Sequence, residues 1–181
     1  MYFQRNPDRV DQQTQLLHFA PEERLRAFFR GATQRYQSAD FAPNLADLTL
    51  DIENIDLEDD SVDLIVCSHV LEHVDDAKAL SEMRRILRPH GSIAILVPIV
   101  EGWENTYENA SATSDSDRSR HFGQSDHVRM YGSDFRKRVL DADFLLSEFT
   151  AVEPDVLRYS LHRGEKVFSA TQRAESAPGG D

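Results

Sequence analysis

Apolar residues along this chain fall into short runs divided by polar turns, and their spacing switches between strand and helix periods. Gln15 to Phe19 (QLLHF) is a compact apolar run fit for a strand, ended by Ala20-Pro21. Pro21 followed by Glu22 and Glu23 suits a first helical turn: proline needs no amide partner there, and acids favour the positive end of the dipole. Leu25, Phe28 and Phe29 then give an i, i+3, i+4 stripe, with Gly31 as the expected stop. Gln34 to Ala39 reads as a second strand ending at Asp40, and Leu45 to Asp51 contains a third, short one.

The most informative stretch is Ser61 to Ile99. Val62 to Ser68 is almost wholly apolar, as expected for a strand covered on both faces. A polar turn, SHVLEH, leads to Asp75 and Asp76, which open a helix with Ala79, Leu80, Met83, Ile86 and Leu87 as its buried stripe. Arg84, Arg85 and Arg88 complement the carboxyl end of that helix, and Pro89-His90-Gly91 is the expected terminator before a strand over Ile93 to Val97. The connection is long enough for a crossover, which wires a parallel sheet. The SHVLEH turn then sits at the carboxyl end of a strand, where open α/β sheets place their ligands.

Beyond Ile99 the pattern changes. Residues 101–127 are polar, and a loop of that length in a compact domain reads as a lid or a substrate loop. Tyr131 to Ala142 is the next expected helix, capped by Ser133 and burying Phe135, Val139 and Leu140. Phe144 to Val152 and Lys166 to Thr171 are final strands, joined through Arg163-Gly164-Glu165 in an antiparallel hairpin. The expected fold is α/β, Rossmann-like: a doubly wound, mostly parallel sheet of seven strands or slightly fewer with an antiparallel C-terminal hairpin. Residues 1–13 are expected to be a flexible N-terminus, 14–172 one domain, and 173–181 a disordered tail.

Composition narrows the function classes. A chain of 181 residues can bury a core without disulfides, and the single Cys67 within an apolar run points to a reducing, cytoplasmic setting. The net charge of −12, from 32 acids against 20 bases, repels phosphate backbones, so no nucleic-acid partner is expected. Arg118, Arg120, Arg129, Arg136, Lys137 and Arg138 cluster in the second half and read as solvated faces. No apolar run approaches a membrane span, so no membrane partner is expected either.

Five segments carry a more specific signal: LLHFAPE (16–22), SAD (38–40), LDIENID (50–56), the 61–99 unit and FGQSDHVRMYGSDF (122–135). Together they resemble the class I S-adenosylmethionine-dependent methyltransferases, and most closely a small group with an H-x-A-P-E turn in place of the glycine-rich motif. The resemblance spans roughly residues 15–172. It implies S-adenosylmethionine as cofactor, with His18, Ala20, Pro21 and Glu22 at its methionine part and Asp40 accepting from the ribose hydroxyls. It places Asp51 at the adenine amino group, Ile52 against the ring, and Ser68, His69 and Val70 beneath the cofactor facing the transferred methyl group.

The histidines are the remaining chemistry. His69 and His73 lie four apart with Glu72 between them, but this pattern resembles the ordinary post-strand turn of methyltransferases, and no metal is implied. In the 121–131 segment, His121, Asp126 and His127 could ligate a metal, Asp126–His127 could form an oriented base, or all three could fasten a long loop. His127 or His69, with Asp126, are the expected bases for a hydroxyl acceptor. Trp103 and Tyr107 could wall the substrate side or anchor the loop. The expected activity is methyl transfer to a small-molecule acceptor. The alternative is a SAM-binding fold that is catalytically degenerate or serves another reaction or an interaction. With about a dozen residues ahead of the first strand, cover for the site is expected from the 101–127 loop, from a second copy in a homodimer, or not at all.

Overall fold

The computed structural model describes residues 1–173. Two helices come early: α1 (Tyr2–Arg5) and, after strand β1 (Leu16–Phe19), α2 (Glu23–Ala32). Strands β2 (Tyr36–Asp40), β3 (Leu48–Thr49) and β4 (Val62–Ser68) follow, then α3 (Asp76–Ile86) and β5 (Leu87–Leu96). A small antiparallel ribbon pairs β6 (Tyr107–Glu108) with β7 (Arg129–Met130), and α4 (Asp115–Phe122) lies between them in the chain. The chain continues through α5 (Phe135–Asp141), β8 (Phe144–Thr150), α6 (Asp155–Tyr159) and β9 (Lys166–Gln172).

The main sheet has seven strands in the order β3-β2-β1-β4-β5-β9-β8. The first five are parallel, whereas β9 runs antiparallel to both β5 and β8. The expected architecture is therefore the observed one. Alternation along β1 and β4 sorts their side chains to two faces. Leu17, Phe19, Ile65 and Cys67 join the larger core with Leu80 and Met83 of α3, while Leu16, Leu64 and Val66 pack against Phe29 of α2. Because β1 pairs with β2 on one side and β4 on the other, the crossovers diverge there and open a crevice at the strands' carboxyl ends.

Several local expectations change. α2 runs through Gly31 to Ala32, because Gly31 does not take the left-handed backbone that ends a helix. α3 ends at Ile86, and Pro89-His90-Gly91 belong to β5, where the register with β4 shifts between Val62 and Leu64. Gly91 is required in that irregularity: a Cβ would stand 2.9 Å from the Asp63 carbonyl oxygen and 2.7 Å from Leu87 Cδ1. The helix expected over Tyr131 to Ala142 begins only at Phe135, because Arg129–Met130 pair with β6 and Tyr131 bridges to Ile99. Ser133 does not cap it, and Leu140 is exposed rather than buried.

The 101–127 loop holds secondary structure of its own, and α6 interrupts what was expected to be a plain turn between the last strands. Residues 1–13, expected to be loose, begin with α1, from which Phe3 packs edge-on against Phe29 with ring centroids 4.9 Å apart. Arg5 pairs with the buried Asp155 at 2.6 Å. Arg129, Arg136 and Arg138, read as solvated, are engaged in ion pairs with Glu108, Glu148 and Asp76. Of the expected tail, residues 174–181 lie outside the described residues.

Candidate functional site

The crevice at the switch point is a cavity of about 650 Å³, within the range of small-molecule sites. On one side it is lined from the ends of β1, β2 and the β3 turn. Ala20 follows β1 with φ at 45°, a left-handed backbone that costs a non-glycine residue strain. Its amide donates to the Ala39 carbonyl at 2.9 Å, which keeps the turn tight against β2. Asp40 lines the cavity from the end of β2, with one carboxylate oxygen accepting from the Ala42 amide at 2.8 Å. Asp51 lines it next, accepting from the Glu53 amide at 2.9 Å, and the buried Ile52 supplies an apolar wall. Phe41, also lining, is 77% exposed at the rim.

His18, Pro21, Glu22 and Ser68 are not part of this lining. His18 is fully buried, with Nδ1 3.1 Å from the Tyr36 hydroxyl and Nε2 3.1 Å from Glu22. Burial pushes the Glu22 carboxyl up, but hydrogen bonds from His18 and Ser68 outweigh it and hold the group below its ordinary value. This polar bracket ties the β1 turn to the end of β4. Cys67, beneath it, is buried, and burial drives its thiol pKa far up, which removes it as a nucleophile.

The other side of the cavity is the turn after β4. His69 sits there with φ at 52°, a second non-glycine residue in the left-handed region, and its amide donates to the Leu96 carbonyl at 2.9 Å. Strain of this kind persists only where surrounding contacts hold it. His69 and Val70 line the cavity. A 3₁₀ turn over Leu71–His73 then buries Glu72, whose Oε1 lies 3.2 Å from His69 Nδ1. That hydrogen bond raises the His69 pKa above its ordinary value, against the opposing effect of partial burial.

The 126–131 segment is lashed under this turn. The Val128 amide donates to the Glu72 carbonyl at 2.9 Å. Buried Arg129 donates to the Leu71 carbonyl at 2.7 Å, to the Val74 carbonyl, and through Nε to Glu108 at 2.7 Å. The Tyr131 hydroxyl lies 3.0 Å from both the Leu71 carbonyl and Asp76. These contacts deliver His127 to the turn, with its ring 4.7 Å from that of His73, centroid to centroid. His127 is buried, which lowers its pKa, reinforced by neighbouring His73. Asp126 lines the cavity, and its backbone oxygen is 3.2 Å from His73 Nδ1.

The structure thus regroups the sequence candidates. Glu72, His73 and His127 meet, while His121 turns away to the Tyr107 hydroxyl at 2.7 Å. Trp103 and Tyr107 stack edge-on at 6.5 Å beside Phe122, and neither lines the cavity. Glu72 and Arg129 were not among the expected site residues. The only sequence signal for them is the pairing of an acidic and a basic residue within two turns that carry histidines.

Residues 13–95 match the family described as Methyltransferase domain. A 46-residue segment is 44% identical to part of an uncharacterised protein of Methanocaldococcus jannaschii, covering 25% of this chain and 20% of that protein. Among solved structures, the fold resembles the Burkholderia thailandensis 1,6-didemethyltoxoflavin-N1-methyltransferase, solved with bound 1,6-didemethyltoxoflavin and S-adenosylhomocysteine. That likeness has a TM-score of 0.60 and 16% identity over 94% of this chain and 75% of that one. The fold also resembles the [4+2]-cyclase SpnF, with a TM-score of 0.62 and 10% identity over 94% of this chain and 79% of that one.

Proposed function

We propose that the protein is an S-adenosylmethionine-dependent methyltransferase acting on a small-molecule acceptor. The observation that carries the reading is the cavity at the β1/β4 switch point, whose lining, apart from Asp126, falls within the segment that matches the methyltransferase domain. Its donor set fits the cofactor. Asp40 can accept from both ribose hydroxyls, Asp51 from an exocyclic amine, and Ile52 can pack against a flat ring. Bound there, the cofactor supplies a methyl group activated on a sulfonium.

The chain's own work is alignment, exclusion of water and, for a hydroxyl acceptor, removal of a proton. His69 is the base we assign. It borders the cavity, and Glu72 fixes its Nδ1 side, leaving Nε2 to take a proton. With a hydroxyl acceptor aligned on the methyl group that the bound cofactor would supply, the acceptor's proton would pass to Nε2 of His69. His127 is too buried to reach an acceptor directly and serves the turn instead.

Calorimetry with S-adenosylhomocysteine tests the reading. Saturable binding that Asp40→Ala weakens supports it, and absence of binding ends it. A second reading, the fold serving another reaction, has one observation behind it: a cyclase shares the architecture. Binding of S-adenosylhomocysteine without methylated product across hydroxyl, amine and carbon acceptors would favour that reading.

A further inference from the structure

Next to the cavity, the structure brings together three potential metal ligands from two distant segments. One ligand atom each from Glu72, His73 and His127 lie within 4.8 Å of one another. Two of these residues are almost wholly buried, Glu72 at 1% and His127 at 4% exposure. Each carries a buried atom without a hydrogen-bond partner among the described residues, Oε2 of Glu72 and Nδ1 of His127. A buried polar atom left unpaired is costly, so two in one cluster call for a common partner. Glu72 Oε2 is a lone-pair acceptor when the carboxylate is ionised, and His127 Nδ1 is one in the neutral imidazole's Nε2–H tautomer, so a partner common to both must be positive or a donor.

We propose that Glu72, His73 and His127 bind a divalent transition-metal cation at the border of the cavity. His73 is prepared for the role: its Nδ1 lies 3.2 Å from the Asp126 carbonyl oxygen and 3.4 Å from the Asp126 carboxylate. A proton on Nδ1 facing those oxygens leaves the Nε2 lone pair free, the arrangement that orients histidine ligands in metal sites. On the Glu72 carboxylate, Oε1 is engaged by His69 while Oε2 is free for the cation. The backbone bond from Val128 to Glu72 and the Arg129 clamp hold the two segments in register. Two imidazoles and one carboxylate suit zinc-like and iron-like ions rather than magnesium or calcium, which take oxygen ligands. Three protein ligands leave coordination positions open, as in catalytic rather than structural sites. His73 itself lines the cavity, which sets those positions within reach of a bound small molecule. The cation proposal stands independently of methyl transfer.

The test is titration of the chelator-treated protein with cobalt(II), followed by visible absorption and by calorimetry, with zinc(II) as competitor and magnesium(II) as comparison. The expected result is one equivalent bound with visible bands, displaced by zinc, with magnesium binding far more weakly. Glu72→Gln and His127→Gln should each weaken cobalt binding at least tenfold. His73→Asn, a change at a less buried position, should do the same in a chain whose melting temperature is retained. His121→Gln, away from the cluster, should leave affinity unchanged. No saturable cobalt binding, or binding that survives all three cluster variants, overturns the proposal, as does a preference for magnesium. Measuring S-adenosylhomocysteine binding on the same metal-free protein separates the two ideas. If it binds and no cation does, only the metal proposal fails; if a cation binds and it does not, only the methyltransferase reading fails.

Discussion

On the β1–β3 side of the cavity, the two acids are held by contacts two positions away, Asp40 by Ala42 and Asp51 by Glu53, and Ala20 by the neighbouring strand through the Ala39 carbonyl. The β4 side is assembled differently: its turn is clamped by Arg129, which reaches the Leu71 carbonyl from 58 positions along the chain. The first side is prepared by strand pairing and short local turns. The second exists only when the tertiary fold closes, and it concentrates the buried polar groups: Glu72, Asp76, His127 and Arg129. The side suited to a nucleoside is thus made by a general device of the fold, while the side suited to chemistry depends on pairings particular to this chain.

The difference predicts unequal sensitivity. Arg129→Met should have the largest effect, because it strips donors from two carbonyls and from Glu108 inside a nearly dry site. A loss of about 3 kcal/mol is expected. In thermal unfolding that corresponds to a drop of about 6–12 °C. A drop of a degree or less would show that the strap is not what holds the β4 turn. Asp40→Ala should leave stability nearly unchanged. Losing a charge-assisted hydrogen bond of about 1.5–3 kcal/mol should weaken S-adenosylhomocysteine binding about tenfold to a hundredfold by calorimetry.

A third effect is on protonation. The Glu72 hydrogen bond raises the His69 pKa, so an NMR titration should find this imidazole above its ordinary 6.5, and Glu72→Gln should return it toward that value. The sign for stability follows. A raised folded-state pKa stabilises fully below the unfolded value of about 6.5, and the contribution fades as pH rises through the folded value. Stability of the wild type relative to Glu72→Gln should therefore fall as pH is raised past that point, and a rise would contradict the assignment. The smallest effect is Ala20→Gly. Relief of a left-handed backbone, offset by glycine's added chain entropy, should stabilise by about 0.5 kcal/mol. A clear loss in melting temperature would mean that the Ala20 methyl packs usefully in the turn.

Legibility in the sequence followed the same division. The mostly parallel sheet, the crossover and the positions of Asp40, Asp51 and Ile52 at the cavity could be read from periodicity, turn residues and the resemblance, since the strands and turns that carry them are local patterns. Pro89 and Gly91 misled because β5 absorbs them as an irregularity in its pairing with β4, and Gly31 because it keeps a helical backbone inside α2. On the β4 side, His69–His73 and His121–His127 presented themselves as two separate histidine sets. Only the strap shows that Glu72 and His73 belong with His127, and that His121 belongs with Tyr107. No local pattern encodes a contact across more than fifty residues.

A crystal structure with S-adenosylhomocysteine bears most directly on the site. The ribose should lie on Asp40, the adenine between Asp51 and Ile52, and the sulfur over the turn that carries His69. Density for the ligand elsewhere on the molecule, or a cavity that remains free of it at saturating concentration, would contradict the methyltransferase reading.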